Sequence, residues 1–458
     1  MPHRPAVRTC VLALAHLLPW TATAIAQSPS LPSLAVRVQR DSAAPLVELR
    51  GGQWFTGRRF ASGSRWMRDG RFVARPAQAA DSVVTLDGRW LVPPYADAHT
   101  HSPDGAFGFD GIRDMYLSLG VFYVQVLANH RSGRIALAGK VNVPTSVDAV
   151  FADGAVTSSG GHPQVLYEEL ALFRRMGNLP SDRQRASRSL TQDGDVYHRL
   201  DSLSQLGALS ARLRRDSVPL LKVMVLRANE FARLAADSSE IGSRGVDARV
   251  LKPLVDSAHA MGRRVWVHVE TAADFELALD AGVDGFAHVP GYAVAYIGNA
   301  PLEPFRLTDA MVAKAAARRV PVIPTLGLSW RTAKTDSAAW QRTRRVTHEN
   351  VRRLRRAGVL LLTGSDTYSS VEAIQNDIHA LAYSLDLSPL DRLRLRAVDT
   401  PRAILPSRRL GALDPGFEAS LLALECDPLA DVACGEKIVH RLKQGAWLPA
   451  FAIPAARP

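Results

Sequence analysis

Eight short apolar runs, separated by segments with helical spacing, constrain the fold of this chain most strongly. The runs lie at 91–96, 120–128, 147–152, 219–226, 263–269, 284–289, 320–326 and 359–364. Runs of valine, leucine and isoleucine predict strands buried on both faces, and strands that alternate with helices predict parallel pairing. After the fifth run, for example, Leu277, Ala278 and Ala281 share one helix face and Gly282 ends that helix. Eight such units predict an α/β fold, a (β/α)8 TIM barrel.

Segments with shorter, alternating strands flank these runs. The segment 32–91 contains Asp69-Gly70 and Asp87-Gly88, which are typical of hairpin turns, and 404–449 contains the turn Asp414-Pro415-Gly416. We expect the two segments to form one small β-sandwich domain beside a barrel at 92–403. Within the barrel, the polar stretch 173–191 lacks periodicity and is predicted to be a long loop over the active face.

The N-terminus resembles a secretory signal. Arg4 and Arg8 precede an apolar core at 10–20, and Ala24-Ile25-Ala26 matches a small-residue cleavage site. We therefore expect residues 1–26 to be removed near Ala26 and the chain to be secreted or periplasmic, without stable membrane insertion, because the apolar core is too short to span a bilayer. Cys426 and Cys434 remain, and either a disulfide or two free thiols fits them.

The chain is basic, with a formal net charge of +12, of which Arg4 and Arg8 contribute +2. The arginines are scattered, and the densest run, 342–356, has helical spacing with Val346, Val351 and Leu354 between the charges. This pattern predicts a solvated helix face, so no nucleic-acid partner is expected. Hydrophobic residues make up 47% of the chain and charged residues 22%, as in folded globular proteins.

Residues able to bind metal ions lie in or directly after five of the apolar runs. His99 and His101 are two apart in extended chain, so both imidazoles point to the same side. Lys222, His268, His288 and Asp366 stand in or after the fourth, fifth, sixth and eighth runs. Each residue alone has an ordinary explanation, such as a buried core histidine or a turn carboxylate. Because the carboxyl ends of barrel strands converge, the whole set predicts a metal site.

The motifs around these residues resemble those of the amidohydrolase superfamily. Asp97–His101 is similar to its first-strand signature, Gly364-Ser365-Asp366 to its eighth-strand motif, and 398–431 to its return to the β-sandwich. The segments around His162, Lys222 and His288 resemble the branch that contains imidazolonepropionase-like and Xaa-Pro dipeptidase-like enzymes.

This resemblance implies a binuclear centre. His99 and His101 with Asp366 would hold one divalent ion, His268 and His288 the other, and Lys222, carboxylated by carbon dioxide, would bridge the two ions. Zinc suits these ligands best, with manganese, cobalt and iron as alternatives. The ions would activate a hydroxide, and Asp366 would act as base and then as acid. His162 would contact the substrate, although a helix-start or turn histidine explains it equally well.

We expect hydrolysis of an amide (C–N) bond in a small molecule, such as a dipeptide or N-acyl amino acid with a free carboxylate. One alternative is a hydrolase of cyclic amides or lactones, which the same centre would serve. Another is an exported binding protein that has lost turnover. The substrate side chain, the metal in vivo and the oligomeric state, including a homo-oligomer, are open from sequence.

Overall fold

The computed structural model describes residues 44–176, 182–292, 301–330 and 336–451. The predicted signal peptide, residues 1–26, lies outside the described residues. No helix within these four ranges is both long and apolar enough to cross a membrane.

The strands fall into flanking and central groups. The N-terminal group is β1 Val47–Arg50, β2 Gln53–Phe55, β3 Phe60–Ser62, β4 Arg65–Arg68, β5 Arg71–Val73, β6 Ser82–Thr85 and β7 Trp90–Val92. The central group is β8 Tyr95–Thr100, β9 Val121–Val126, β10 Asp148–Phe151, β11 Ala155–Thr157, β12 Tyr197–Arg199, β13 Leu220–Val225, β14 Arg264–Val269, β15 Gly285–Ala287 and β16 Val322–Ile323. The C-terminal group is β17 Leu421–Leu424, β18 Ile438–Lys443 and β19 Ala446–Trp447.

The α-helices lie between the central strands and after them. They are α1 Phe109–Ser118, α2 Arg131–Ala136, α3 Gln164–Met176, α4 Arg183–Arg188, α5 Leu206–Asp216, α6 Phe231–Ala236, α7 Ala248–Ala260, α8 Ala272–Ala281, α9 Asp309–Arg318, α10 Gly327–Trp330, α11 Ser337–Thr343, α12 Glu349–Arg356, α13 Val371–Leu385, α14 Pro389–Arg394 and α15 Thr400–Ile404. Helix α8 ends as the sequence predicts, with Gly282 in the left-handed conformation at φ 88°.

The central strands form two parallel sheets, so the chain has an α/β fold. One sheet has the order β10-β9-β8 and the other β12-β11-β13-β14-β15-β16. Every residue of β8, β9 and β13 is buried, as expected for strands covered on both faces. Valine, leucine and phenylalanine side chains from the second sheet pack against α7, α8 and α9 in one large hydrophobic cluster. The parallel pairing brings the carboxyl ends of these strands to the same edge.

The eighth apolar run is not a regular strand. Leu361 forms a single parallel β-bridge with Val322, and the backbone N–H of Ala98 donates to Thr363 O at 2.8 Å. Segment 360–367 therefore lies between β16 and β8. Some of its backbone groups bond to side chains instead of to a neighbouring strand. The N–H of Gly364, for example, donates to Asp377 Oδ2 at 2.9 Å.

The flanking segments form two further sheets, with the orders β5-β4-β1-β6 and β19-β18-β17-β7-β2-β3. The second sheet joins the two ends of the chain, because β17 is antiparallel to β7. Residues from both sheets, among them Leu49, Trp54 and Leu421, share one hydrophobic cluster. Near the end of β17, Cys426 and Cys434 form a disulfide.

Two local predictions are wrong. Asp69-Gly70 does form the hairpin turn between β4 and β5, but Asp87-Gly88 connects β6 of one sheet to β7 of the other. The stretch 173–191 is not a continuous loop, because α3 extends to Met176 and α4 spans Arg183–Arg188. Asp182 caps α4 by accepting a hydrogen bond from the N–H of Arg185 at 2.9 Å. The arginine-rich run 342–356 is helical as predicted, with its valine and leucine side chains buried.

Candidate metal centre

All the predicted site residues line one cavity of about 230 Å³. His99 lies in β8 and His101 directly after it, while Lys222 and His268 lie within β13 and β14. His288 directly follows β15, and Asp366 is in segment 360–367. The parallel sheets place these residues on neighbouring elements, which explains why residues so far apart in sequence meet. His162, which precedes α3, lines the same cavity.

The Asp366 carboxylate is the centre of the cluster. Its Oδ1 lies 3.0 Å from His101 Nε2 and 3.3 Å from His99 Nε2, and its Oδ2 lies 3.9 Å from His288 Nε2. The ligand atoms of His99, His101 and Asp366 all lie within 4.8 Å of one another, close enough to hold one metal ion. Burial alone would raise the pKa of Asp366, but attraction to His99 and the contact with His101 hold it well below its usual range.

Hydrogen bonds at the Nδ1 atoms of His101 and His288 determine which ring nitrogen carries the proton. His101 Nδ1 lies 3.0 Å from Ala128 O, which can only accept, so Nδ1 carries a proton. His288 Nδ1 lies 2.7 Å from Thr325 Oγ1, whose own proton is donated to Pro324 O, so this Nδ1 is also a donor. In the neutral form of each ring, Nε2 therefore carries the lone pair, and this atom faces Asp366. A positive charge between these atoms would resolve the repulsion, as in metal sites with such outer hydrogen bonds.

Of the described residues that line the cavity, two carry buried polar atoms without a hydrogen-bond partner. They are both ring nitrogens of His99 and the Nζ of Lys222. Such groups are costly unless a ligand or ion satisfies them. Burial lowers the pKa of Lys222 to about 7, against a partly opposing attraction to Asp366, so much of the amine is uncharged near neutral pH. The site therefore fits a group that accepts lone pairs.

Hydrogen bonds join the motif 97–101 after the first apolar run to the motif 364–366 after the eighth. Asp97 Oδ1 accepts hydrogen bonds from the N–H groups of His99 and Ser365, each at 3.0 Å. Burial raises the pKa of Asp97 to about 6, although these bonds and that of the Ser365 hydroxyl oppose the rise. Asp366 has a left-handed backbone at φ 52°, and its N–H donates to His99 O at 2.7 Å. Gly364 is required nearby, because an added Cβ would lie 2.3 Å from Ile323 Cγ2.

Two tyrosines that were not predicted to belong to the site stack on its histidines. Tyr368 stacks on His101 with ring centroids 4.7 Å apart, and its hydroxyl lies 2.9 Å from that of Tyr167. Tyr292 stacks on His288 at 4.0 Å. Tyr368 is two residues after Asp366, which is the one sequence signal that could have drawn attention to it. The cavity is thus both aromatic and polar.

A second carboxylate, that of Glu270, lies next to His268. Glu270 Oε1 and the Tyr292 hydroxyl lie 3.5 and 3.4 Å from His268 Nε2. The His162 ring is 5.8 Å from that of His268, and burial lowers the pKa of His162 to about 4, so this ring is neutral at physiological pH. Apolar side chains complete the lining, among them Leu127, Leu166 and Met224.

Known proteins resemble this chain both in sequence and in structure. No family model matches the sequence. Uncharacterized proteins of Mycobacterium bovis and Mycobacterium tuberculosis are 25% identical over 261 residues, which cover 57% of this chain and 56% of theirs. The chain thus matches only about half the length of these curated relatives.

Solved structures match far more of the chain. A crystal structure described as an amidohydrolase has a TM-score of 0.65 at 17% identity and covers 88% of this chain and 98% of its own. The chain has the amidohydrolase fold. A molinate hydrolase (TM-score 0.67, 16% identity, 91% of this chain and 97% of that one) and a Xaa-Pro dipeptidase (0.65, 15%, 88% and 99%) share the amidohydrolase fold. The resemblance stated from sequence is therefore confirmed at the level of the fold.

Proposed function

We propose that this protein is an amidohydrolase that cleaves an amide C–N bond of a small molecule and depends on two divalent metal ions. One observation carries the proposal: the Nε2 atoms of His101 and His288 lie 3.0 and 3.9 Å from the Asp366 carboxylate. The same cavity contains Lys222, a buried lysine whose Nζ has no hydrogen-bond partner among the described residues. The shared fold with hydrolases, a Xaa-Pro dipeptidase among them, supports the same reaction class.

We propose further that the two parallel sheets and segment 360–364 form a (β/α)8 barrel. Hydrogen bonds that link this segment to β16 on one side and β8 on the other support closure. Segments 32–91 and 404–449 would form a β-sandwich domain, which the cluster shared by their two sheets supports.

His99, His101 and Asp366 would hold one ion, and His268 and His288 the other. Lys222 would bridge the two ions as a carbamate. Its amine, whose pKa is about 7, is uncharged often enough to add carbon dioxide. Imidazole and carboxylate ligands favour zinc. When bound, such ions activate water and polarise the scissile carbonyl.

The side chains around the ions have separate tasks. Asp366 Oδ1 faces His99 and His101, which leaves Oδ2 to accept a proton from the attacking water and return it to the leaving amine. The stacked rings of Tyr368 and Tyr292 hold His101 and His288 in orientation and limit the access of bulk water. His162 lies where it can contact substrate as a neutral ring.

We also propose that the chain is exported. The arginine-flanked apolar segment at the N-terminus supports cleavage near Ala26, and the Cys426–Cys434 disulfide is compatible with an oxidising compartment.

The test is a substrate screen of zinc-reconstituted protein against Xaa-Pro, Xaa-Arg and N-acyl amino acid libraries. Asp366→Asn should lose at least about 100-fold in kcat, the scale of a positioned acid–base group. Asp256→Asn is the matched control, because it removes only an exposed ion pair with Lys252 on α7. Metal-loaded protein that binds peptides but hydrolyses no amide, ester or lactone would instead establish a binding protein.

A further inference from the structure

The cavity lining differs in charge between the proposed metal ligands and the remaining walls. Of the residues in 44–176, 182–292, 301–330 and 336–451 that line it, only Lys222 and Asp366 are of charged types, and both are assigned to the ions. The remaining walls consist of leucine, alanine, proline, methionine and tyrosine side chains together with His162. Burial lowers the pKa of His162 to about 4, so this ring is neutral at physiological pH. Beyond the metal ligands, a substrate therefore faces uncharged walls.

Charged groups behind the lining are already bonded to other groups of the protein. Glu270 Oε1 lies 3.5 Å from His268 Nε2, and Asp104 Oδ2 lies 2.7 Å from His130 Nδ1. The Arg244 guanidinium, which packs against the loop before α3, donates to two backbone carbonyl groups at 2.6 and 3.2 Å. Neither of these carboxylates nor this guanidinium lines the cavity. A charged substrate group would thus find its opposite charge already in use.

Apolar side chains continue from the cavity onto the surface. Leu166 and Tyr368 line the cavity and are 40% and 54% exposed. Leu170 lies one helical turn further along α3, on the same face as Leu166, and is also exposed. The hydroxyl of Tyr167 on α3 lies 2.9 Å from that of Tyr368, which holds Tyr368 beside this helix. We call Leu166, Leu170 and Tyr368 the apolar rim.

The enclosed volume accommodates only part of a large substrate. Cavities that enclose drug-sized ligands occupy roughly 300 to 1,000 Å³, whereas this cavity is about 230 Å³ and bound metal ions would take some of that space. A substrate larger than this volume extends over the apolar rim. Contact with the exposed leucine and tyrosine side chains removes apolar surface from water, which favours an apolar group at this position.

We propose that the substrate is an uncharged amide with a large branched or aromatic apolar group, which packs on the apolar rim while the amide lies at the metal centre. This inference rests on the proposed function and narrows its substrate class. A free carboxylate or ammonium in the cavity would lose water without gaining an opposite charge, which is costly. The enzyme therefore prefers uncharged amides to dipeptides and N-acyl amino acids, and Leu166 is a specificity-determining residue.

The test compares two amides that differ by one carboxylate, using the full zinc-loaded chain. N-benzoyl-3-methylbutylamine and N-benzoyl-leucine share the benzamide bond and the branched alkyl chain, and only the second compound is charged. We expect kcat/KM to be at least about 10-fold higher for the uncharged amide, the scale of leaving one polar group unpaired in a desolvated site. A smaller ratio would overturn the proposal.

A cation placed on the rim should change this preference. Leu166→Arg should reduce the ratio at least about fivefold, because it attracts N-benzoyl-leucine and removes apolar contact with the uncharged amide. Leu360→Arg is the matched control, since Leu360 is an exposed leucine that precedes the bridge between Leu361 and Val322, at the amino end of β16. It should keep the wild-type ratio. An unchanged ratio in Leu166→Arg, or an equal fall in Leu360→Arg, would reject the role of the rim.

A smaller substitution and a binding measurement cover failure of Leu166→Arg to fold and absence of turnover. Leu166→Ala should keep the wild-type zinc content and lower kcat/KM for the uncharged amide about three- to tenfold, and an unchanged value would overturn the proposal. If neither amide is hydrolysed, the proposed function fails for this bond, but thermal shift still decides the substrate class. A larger Tm increase with N-benzoyl-3-methylbutylamine than with N-benzoyl-leucine, reduced in Leu166→Ala, supports the apolar rim, and any other pattern refutes it.

Discussion

Replacing Lys222 by methionine should stabilise the metal-free protein while removing its activity. The lysine is fully enclosed in β13, and its Nζ has no hydrogen-bond partner among the described residues. Burial lowers its pKa from 10.5 to about 7, so the folded protein binds this proton less tightly than the unfolded chain does. At about 1.4 kcal/mol per pKa unit, the penalty on folding approaches roughly 5 kcal/mol.

The sign and the pH window follow from this difference. The penalty is fully present below about pH 7, falls as the pH rises, and vanishes above about pH 10.5, where both states are uncharged. Methionine fills a similar volume without a charge. Lys222→Met should therefore raise the free energy of unfolding by up to about 4 to 5 kcal/mol at pH 6 and by about 2 kcal/mol at pH 9.

Urea unfolding of chelator-treated protein at pH 6 and pH 9 measures this effect. Lys252→Met, an exposed change on α7, is the control and should leave the pH dependence as in wild type. A stability difference between Lys222→Met and wild type that is the same at both pH values would refute the reasoning. Zinc-loaded Lys222→Met should be inactive, because methionine cannot form a carbamate.

Two more predictions concern the support of the site and acid stability. Gly364→Ala should destabilise the fold by roughly 1 to 3 kcal/mol and weaken zinc binding, because its Cβ would meet Ile323 and His99. Gly207→Ala, in an open helical position, should be neutral or stabilising, and equal effects in urea unfolding and zinc titration would contradict the steric argument. His348 is buried and its pKa is lowered to about 3, so stability should fall as the pH drops below about 6.5, by up to about 1.4 kcal/mol per unit. His348→Phe should reduce that loss by about 1.6 kcal/mol between pH 6.5 and 5, and an unchanged slope would reject the assignment.

The sequence predicted which histidines meet in the cavity better than it predicted the rest of the cavity lining. His99 and His101 could be paired from a spacing of two, and the strand-end positions of His268 and His288 follow from the alternation of apolar runs and helices. Tyr292 and Glu270 could not be identified, because their positions beside His268 depend on the conformation of the loops after β14 and β15. Single aromatic or acidic residues after a strand carry no periodic signal.

The errors in the fold have similarly local causes. Asp87-Gly88 has the composition of a hairpin turn, but turn chemistry does not specify which strands pair on either side of it. Helix α4 has only Ala186 buried, so it has no apolar periodicity for the sequence to reveal. Segment 360–367 has the composition of a strand, yet side chains from other elements, including Asp377, take some of its backbone hydrogen bonds.

The central claim is a binuclear centre, and the metal content of purified, zinc-reconstituted protein tests it most directly. Mass spectrometric metal analysis should give two zinc ions per wild-type chain and no more than one in Lys222→Met. His99→Ala should lose the ion that His101 and Asp366 share. One ion per wild-type chain, with an unchanged content in Lys222→Met, would contradict the account.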